Sequence, residues 1–353
     1  MSSNKAPQLK VNSVLSLFSN RQFSDAIDAI DLLKIDYPKD ELLLNINGAC
    51  YAGLGQFDAA IELYEEALII NPNYAKVYFN LGGAYHELSQ LDEAVINYKK
   101  SLDIDPSFAE AQNNLGNVYK ELGQLDKAID SYQKALDINP KYAEAHYSVA
   151  ITFQLLDKFK KMIEHLEILI SIQPKFFEAY NYLGIALKET GQFKSAVKAY
   201  EQAIAINPNY VEAHYSLGLT FQDLGQLENT VNSYKRVVAI KPDFAGMHNN
   251  LGNVYRELGE LDAALMSYER AIAIKPDFFE ALYSIGVIYQ EQNLLNDAIK
   301  SYERVISIKP NLAEAHYCLG DIFLGLDRLD DAVRSYESAL SIKPKLTEAH
   351  NNL

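Results

Sequence analysis

The chain has 353 residues, a formal net charge of −15 and a pI near 4.9. Such acidity opposes binding to nucleic acid, which depends on Lys and Arg displacing counterions from phosphates. Cys50 and Cys318 are the only cysteines, and neither an apolar leader nor a run of about 20 apolar residues is present. We therefore expect a cytoplasmic protein with a neutral or basic partner, and no binding to nucleic acid or membranes.

The prolines give the chain a regular period. Ten of the eleven prolines lie 34 residues apart, without insertion or deletion: Pro38, Pro72, Pro106, Pro140, Pro174, Pro208, Pro242, Pro276, Pro310 and Pro344. A period of this length is typical of stacked helix pairs. It predicts ten tandem repeats, at 7–40, 41–74, 75–108, 109–142, 143–176, 177–210, 211–244, 245–278, 279–312 and 313–346. We expect a flexible tail over 1–6 and the start of an eleventh, truncated repeat over 347–353.

Each repeat has the pattern of two amphipathic helices joined by a turn. In repeat three, Leu81, Gly82 and Tyr85 share one helix face, and Ala94 and Tyr98 share a face of the next helix. The turn carries residues that tolerate a left-handed backbone: Gly55, Gly123, Gly191, Gly225, Gly259, Ser89, Asp157, Asn293 and Asp327. The proline then prevents the second helix from continuing.

A small residue recurs in the middle of the first helix. It is Gly48, Gly82, Gly116, Gly184, Gly218, Gly252, Gly286 or Gly320, with Ala150 in repeat five. Glycine inside a helix costs about 1 kcal/mol relative to alanine, so its recurrence needs a compensating contact. We expect the second helix to approach closely there, with Ala94 or Ala128 meeting the glycine and aromatic side chains flanking the contact.

These recurring residues resemble the signature of the tetratricopeptide repeat family. In repeat four the signature consists of Leu115, Gly116, Tyr119, Ala128, Tyr132, Ala135 and Pro140. The resemblance implies an all-α fold, a right-handed α-solenoid superhelix of about ten helix-turn-helix repeats whose first helices line a concave groove. It also implies a protein–protein interaction scaffold that binds a partner protein or an extended peptide in that groove.

The positions expected to face the groove alternate between two kinds of repeat. Repeats four and eight carry Asn-Asn-Leu-Gly-Asn, whereas repeats five, seven and nine carry Tyr-Ser, so the surface period is near 68 residues. Amides offer donors and acceptors to a peptide backbone, and tyrosines add contact area at low entropic cost. We predict peptide-binding residues at Asn80, Asn113, Asn114, Asn117, Tyr147, Asn181, Tyr215, Asn249, Asn250, Asn253, Tyr283 and Tyr317. The alternative is duplication of a stable unit with solvated polar faces and no evolved ligand.

Positions are counted here from the first residue of each repeat. The asparagines at position six resemble the asparagine ladder in the repeat domain of O-linked N-acetylglucosamine transferases: Asn80, Asn114, Asn250 and Asn352. Other residues interrupt this ladder: Ser148, Tyr182, Ser216, Ser284 and Cys318. The resemblance therefore implies a mixed ladder.

Repeat five departs from the pattern in its second helix. Met162 and Leu166 stand at signature positions, and Lys158, Lys160 and Lys161 form a basic cluster. A local change in superhelix curvature is the simpler interpretation, and a specific docking site is the alternative.

No constellation of catalytic or cofactor-binding residues is evident. Five of the seven histidines recur one to a repeat, too far apart to share a metal ion: His146, His214, His248, His316 and His350. Phosphate-binding and dinucleotide-binding glycine motifs are absent from the sequence. We predict no enzymatic activity, no cofactor and no metal ligand within these residues.

Two further hypotheses stay open. In the first, the chain is the N-terminal repeat region of a larger enzyme, of glycosyltransferase or sulfotransferase type, whose catalytic domain lies beyond Leu353. In the second, the chain self-associates through its uncapped C-terminal end, because exposed apolar stacking surface promotes association.

Overall fold

The computed structural model describes residues 5–353 and contains, within that range, 21 α-helices and no β-strand. The all-α fold of packed helix pairs predicted from the sequence is confirmed. Residues 1–4 of the predicted tail lie outside the described residues. The chain divides into two compact units, one ending at Ala179 and the other beginning at Tyr180.

The first unit contains five helix pairs, in which each helix packs on its neighbours in the chain. Its N-terminal part is held by Asp40, whose carboxylate accepts hydrogen bonds from the backbone N–H groups of Ala6, Leu42 and Leu43. The helices are α1 Gln8–Ser19, α2 Phe23–Asp36, α3 Glu41–Gly53, α4 Phe57–Ile70, α5 Ala75–Glu87, α6 Leu91–Ile104, α7 Ala109–Glu121, α8 Leu125–Ile138, α9 Ala143–Leu155 and α10 Phe159–Ile172.

The second unit repeats the same arrangement, and α12 to α19 each pack on the next helix in the chain. Its helices are α11 Phe177–Glu189, which begins just before the unit boundary, α12 Phe193–Ile206, α13 Val211–Asp223, α14 Leu227–Ile240, α15 Ala245–Glu257, α16 Leu261–Ile274, α17 Phe279–Glu291, α18 Leu295–Ile308, α19 Ala313–Gly325, α20 Leu329–Ile342 and α21 Thr347–Asn352.

The turns within the pairs have the backbone conformation expected from the sequence. Gly123 has a φ of 70°, and the non-glycine residues Ser89 and Asp157 have φ values of 58° and 53°. The left-handed residue lets the next backbone N–H bond back to the first helix, as when Gln124 donates to the Tyr119 carbonyl over 2.8 Å. These turns set the antiparallel packing of each pair.

The predicted close approach at the small residues is confirmed, but its partner is different. A Cβ atom built on Gly116 would lie 2.5 Å from Cε1 of Tyr132, so the tyrosine ring, rather than Ala128, lies over the glycine. The eight glycines at this position all face a tyrosine sixteen residues later. Helical spacing identified the face, but it did not show that the large aromatic residue itself fills the space left by the missing Cβ.

Repeat five replaces both members of this contact. Ala150 stands in place of the glycine, and Leu166, sixteen residues later, stands in place of the tyrosine. Both side chains are fully buried. Because leucine lacks the ring that would collide with the alanine methyl group, the two substitutions compensate each other.

Candidate binding surface on the first helices

The predicted groove residues lie on the first helices of the pairs. Within the first unit, successive first helices contact each other, as α5 contacts α7 and α7 contacts α9. Asn113 and Asn181 are buried, and Asn253 is exposed. The other nine predicted residues are half-buried: Asn80, Asn114, Asn117, Tyr147, Tyr215, Asn249, Asn250, Tyr283 and Tyr317. Most of these side chains are therefore partly covered by neighbouring residues and partly accessible to a ligand.

Two of the predicted asparagines hold the buried tyrosines in place. The Tyr132 hydroxyl donates to Oδ1 of Asn117 over 2.8 Å, and the Tyr268 hydroxyl donates to Oδ1 of Asn253 over 2.7 Å. Burial raises the pKa of Tyr132, so its hydroxyl keeps the proton that it donates. Asn117 and Asn253, both at position nine, thus support the glycine contact from the surface.

Glutamine supplies the same acceptor in the Tyr-Ser repeats. The Tyr234 hydroxyl donates to Oε1 of Gln222 over 3.2 Å, and the Tyr302 hydroxyl donates to Oε1 of Gln290 over 3.0 Å. These glutamines stand at position twelve, one helical turn beyond position nine. Asparagine at position nine or glutamine at position twelve therefore accepts from the buried tyrosine. This structural role could have been found from the sequence, because a repeat that has the asparagine lacks the glutamine.

The tyrosines at position five pack against the second-helix tyrosines. The ring centroids are 6.0 Å apart for Tyr215 and Tyr234, and 5.6 Å apart for Tyr283 and Tyr302. Tyr317 makes the same contact with Tyr336, at 5.9 Å. Tyr147, in the repeat that has lost this tyrosine, instead lies 5.3 Å from Phe176. One side of each predicted tyrosine is therefore engaged within the protein.

Three of the asparagines at position five have an unsatisfied acceptor. The Oδ1 atoms of Asn113, Asn181 and Asn249 are buried and have no hydrogen-bond partner among the described residues. The amide of Asn113 also donates from Nδ2 to Oε1 of Glu144 over 3.0 Å. A buried acceptor without a donor costs about 1–3 kcal/mol. These three atoms recur every 68 residues.

Basic residues at position twelve contact acids at position thirteen of the following repeat. His86 Nε2 lies 2.9 Å from Oε1 of Glu121, and Lys188 Nζ lies 2.9 Å from Oδ2 of Asp223. The acids at position thirteen are therefore not all free, since two of them contact a basic residue of the preceding repeat.

The five histidines at position four have a structural role. Each donates its Nε2–H to the carbonyl oxygen of the proline six residues earlier, as His214 does to Pro208 over 2.9 Å. The other four are His146, His248, His316 and His350. The recurring histidine and the recurring proline thus hold the start of the first helix against the preceding turn.

Repeat five adds a second histidine to this arrangement. Nδ1 of His146 lies 3.0 Å from Nδ1 of His165. Because His146 donates through Nε2, its Nδ1 accepts, and His165 donates. Burial and the neighbouring His146 and Lys161 lower the pKa of His165 to about 4. His165 is therefore neutral near pH 7.

Two features are absent from residues 5–353. Within this range, no group of three or more His, Cys, Asp or Glu side chains could hold a metal ion. No described helix is both long and apolar enough to cross a membrane.

The fold and the repeated contacts define a class of proteins built from stacked helix pairs. The chain belongs to the tetratricopeptide repeat family. The TPR repeat matches residues 48–89, 82–123, 116–157, 186–225, 221–255, 252–293 and 288–327. A second description of the same motif, the tetratricopeptide repeat, matches residues 313–346. No curated protein matches the chain.

Solved structures similar to the chain are themselves repeat proteins. MamA is 31% identical over 46% of this chain and 94% of its own, with a TM-score of 0.44. YrrB, a TPR protein with an unusual peptide-binding site, is 24% identical over 53% of this chain and 96% of its own, with a TM-score of 0.46. The C-terminal part of a TPR repeat-containing protein from Cytophaga hutchinsonii is 16% identical over 65% of this chain and 95% of its own, with a TM-score of 0.56. This last likeness shows the fold alone.

Proposed function

We propose that the chain is a binding scaffold that holds an extended polypeptide segment along the first-helix face of each unit. The observation that carries the proposal is the set of unsatisfied carbonyl oxygens on Asn113, Asn181 and Asn249. An extended peptide has a backbone N–H group at every residue, so it offers the missing donor whatever its sequence. Binding in this way requires the amide to turn so that its covered oxygen reaches such a donor.

The charge of the surface favours a neutral or basic segment over most of its length. The position-two acids Glu110, Glu144, Glu212, Glu280 and Glu314 are exposed. Since only part of the acidic charge on the first helices is paired internally, basic side chains of a partner would gain ion pairs here. The similarity to the asparagine ladder of O-linked N-acetylglucosamine transferases, self-association and a cytoplasmic location stay predictions.

The test separates asparagines with a free acceptor from those already engaged. We would select peptides from a random library against the full chain, then measure their affinity for a variant with Asn113→Ala, Asn181→Ala and Asn249→Ala. Each lost hydrogen bond should weaken binding about fivefold. The matched control carries Asn117→Ala and Asn253→Ala, which remove the tyrosine acceptors and should lower stability more than affinity. Equal binding by the wild type and the triple variant, with the fold intact, would rule out these acceptors as contacts.

A further inference from the structure

The contacts between basic and acidic side chains of neighbouring first helices are incomplete. A basic residue at position twelve is followed by an acid at position thirteen of the next repeat in three cases, and two of these are in contact, His86–Glu121 and Lys188–Asp223. Arg256 is exposed and makes no ion pair with Glu291 among the described contacts. These pairs show which side chains face each other across the boundary between repeats.

Repeat four has the cation but repeat five lacks the acid. Lys120 stands at position twelve, and Leu155 stands where the acid should be. Lys120 is half-buried and forms no ion pair with any residue in 5–353, while Leu155 is 60% exposed. An exposed large apolar side chain is unfavourable in the free protein, and a lysine without a counter-ion is available to pair with an acid. Both would be stabilised by a suitable ligand.

The unsatisfied carbonyl of Asn113 belongs to the same surface. Asn113 and Lys120 are two helical turns apart and therefore share a face of α7. Asn113 has no exposed surface and its Oδ1 has no donor. The polar groups left without a partner on this face of α7 are thus an acceptor and a cation, and the pairing of Lys188 with Asp223 indicates that Leu155 is the residue opposite Lys120.

Lysines follow Leu155 in the chain, although the chain as a whole is acidic. The exposed residues Lys158 and Lys160 lie in the turn and in α10. The adjacent Glu121 contacts His86, and Asp157 in the turn is the nearest acid after Leu155 in the chain. The Leu155 end of this surface therefore favours an anionic group, whereas Glu144, which accepts from the Asn113 amide over 3.0 Å, places an acid at the other end.

We propose that Asn113, Lys120 and Leu155 form a specificity site, the Lys120–Leu155 site, which takes an acidic side chain next to a large apolar side chain of the bound segment. The carboxylate pairs with Lys120, the apolar side chain covers Leu155, and a backbone N–H donates to Asn113. This inference rests on the proposed function and adds the chemistry of one stretch of the partner. Repeat five supplies the apolar part of such a site, because Leu155 replaces the acid that most other repeats carry at position thirteen.

The experiment compares a variant that gains an acid at Leu155 with a variant that loses the acid at Asp223. Leu155→Glu should pair with Lys120 as Asp223 pairs with Lys188. Because Leu155 is exposed, this substitution leaves the core intact. Asp223→Leu creates the same cation and leucine arrangement between repeats six and seven. A random peptide library is selected against the full-length wild type, each variant and Lys120→Met, and circular dichroism checks that each variant is folded.

The wild type should enrich peptides with Asp or Glu beside a large apolar residue. Leu155→Glu and Lys120→Met should lose this preference and bind the enriched peptides about fivefold more weakly. Asp223→Leu should keep the preference and gain a second acidic position. If Leu155→Glu enriches the same peptides as the wild type, the Lys120–Leu155 site is wrong even though peptide binding stands. If no peptide is enriched by the folded wild type, the proposed function and this site both fail.

Discussion

Repeats four and five have helices of the same lengths but pack differently at their centres. Both have a first helix of 13 residues and a second helix of 14 residues. In repeat four the Tyr132 ring lies over Gly116, whereas in repeat five Leu166 takes the place of the ring and Ala150 the place of the glycine. The difference shows that the repeat conserves a filled volume between its helices, and that the two residues filling it can change together.

The loss of the tyrosine in repeat five has further consequences. Gln154 stands at the position where Gln222 and Gln290 accept from a tyrosine hydroxyl, but its own repeat has no such donor. His165, unmatched in any other repeat, forms instead a hydrogen bond with His146. Repeat five has therefore replaced one polar contact between its helices with another.

The largest effect should come from forcing a side chain into the glycine contact. A Cβ at Gly184 would lie 2.5 Å from Cε1 of Tyr200. Gly184→Leu should therefore lower the free energy of unfolding by about 3 kcal/mol, because a buried ring cannot move without disturbing its neighbours. The measurement is urea unfolding followed by circular dichroism.

A matched control is Gly83→Ala, also within a first helix. A Cβ there would have the Tyr98 hydroxyl oxygen as its nearest neighbour, at 3.6 Å, an ordinary contact. Alanine should stabilise the helix at this position by about 1 kcal/mol. If Gly184→Leu is as stable as the wild type, the tyrosine contact does not explain the recurring glycine.

The sequence was sufficient to predict the helix pairs and their turns, because the 34-residue period repeats the same local signals. It was not sufficient to predict which residues meet across them. The spacing of Gly116 and Tyr132 shows that each faces the other helix, but only the packing shows that the ring covers the glycine. Which residue lies opposite Lys120 likewise depends on how one repeat aligns with the next. The ion pair between Lys188 and Asp223 reveals that alignment.

An intermediate effect should come from exchanging the pair of repeat five for that of repeat four. Leu166→Tyr alone should cost about 2 kcal/mol, because the new ring meets the Ala150 methyl group. Adding Ala150→Gly should recover about 1 kcal/mol or more of this loss, which is a coupling typical of residues in contact. The double-mutant cycle is measured by urea unfolding, with Ala150→Gly alone as the fourth member. Additive losses would show that the two positions do not compensate each other.

The smallest effect should be the dependence of repeat five on pH through its histidine pair. The pKa of His165 is lowered from 6.5 to about 4 in the folded chain, so the unfolded chain binds the proton first as the pH falls. Its contribution to stability is present above about pH 6.5 and is lost as the pH falls from there to about 4. After allowance for solvent screening, the loss is about 1–2 kcal/mol.

The test compares the wild type with His165→Ser, which introduces the residue found at this position in repeat four and in repeats seven to ten. Other groups titrate in both proteins, so the informative quantity is the difference between their urea midpoints at about pH 7 and about pH 4.5. The wild type should lose more stability on acidification than the variant does. Parallel losses would show that protonation of His165 does not oppose folding, and that the two histidines of repeat five fill space between its helices without being coupled to pH.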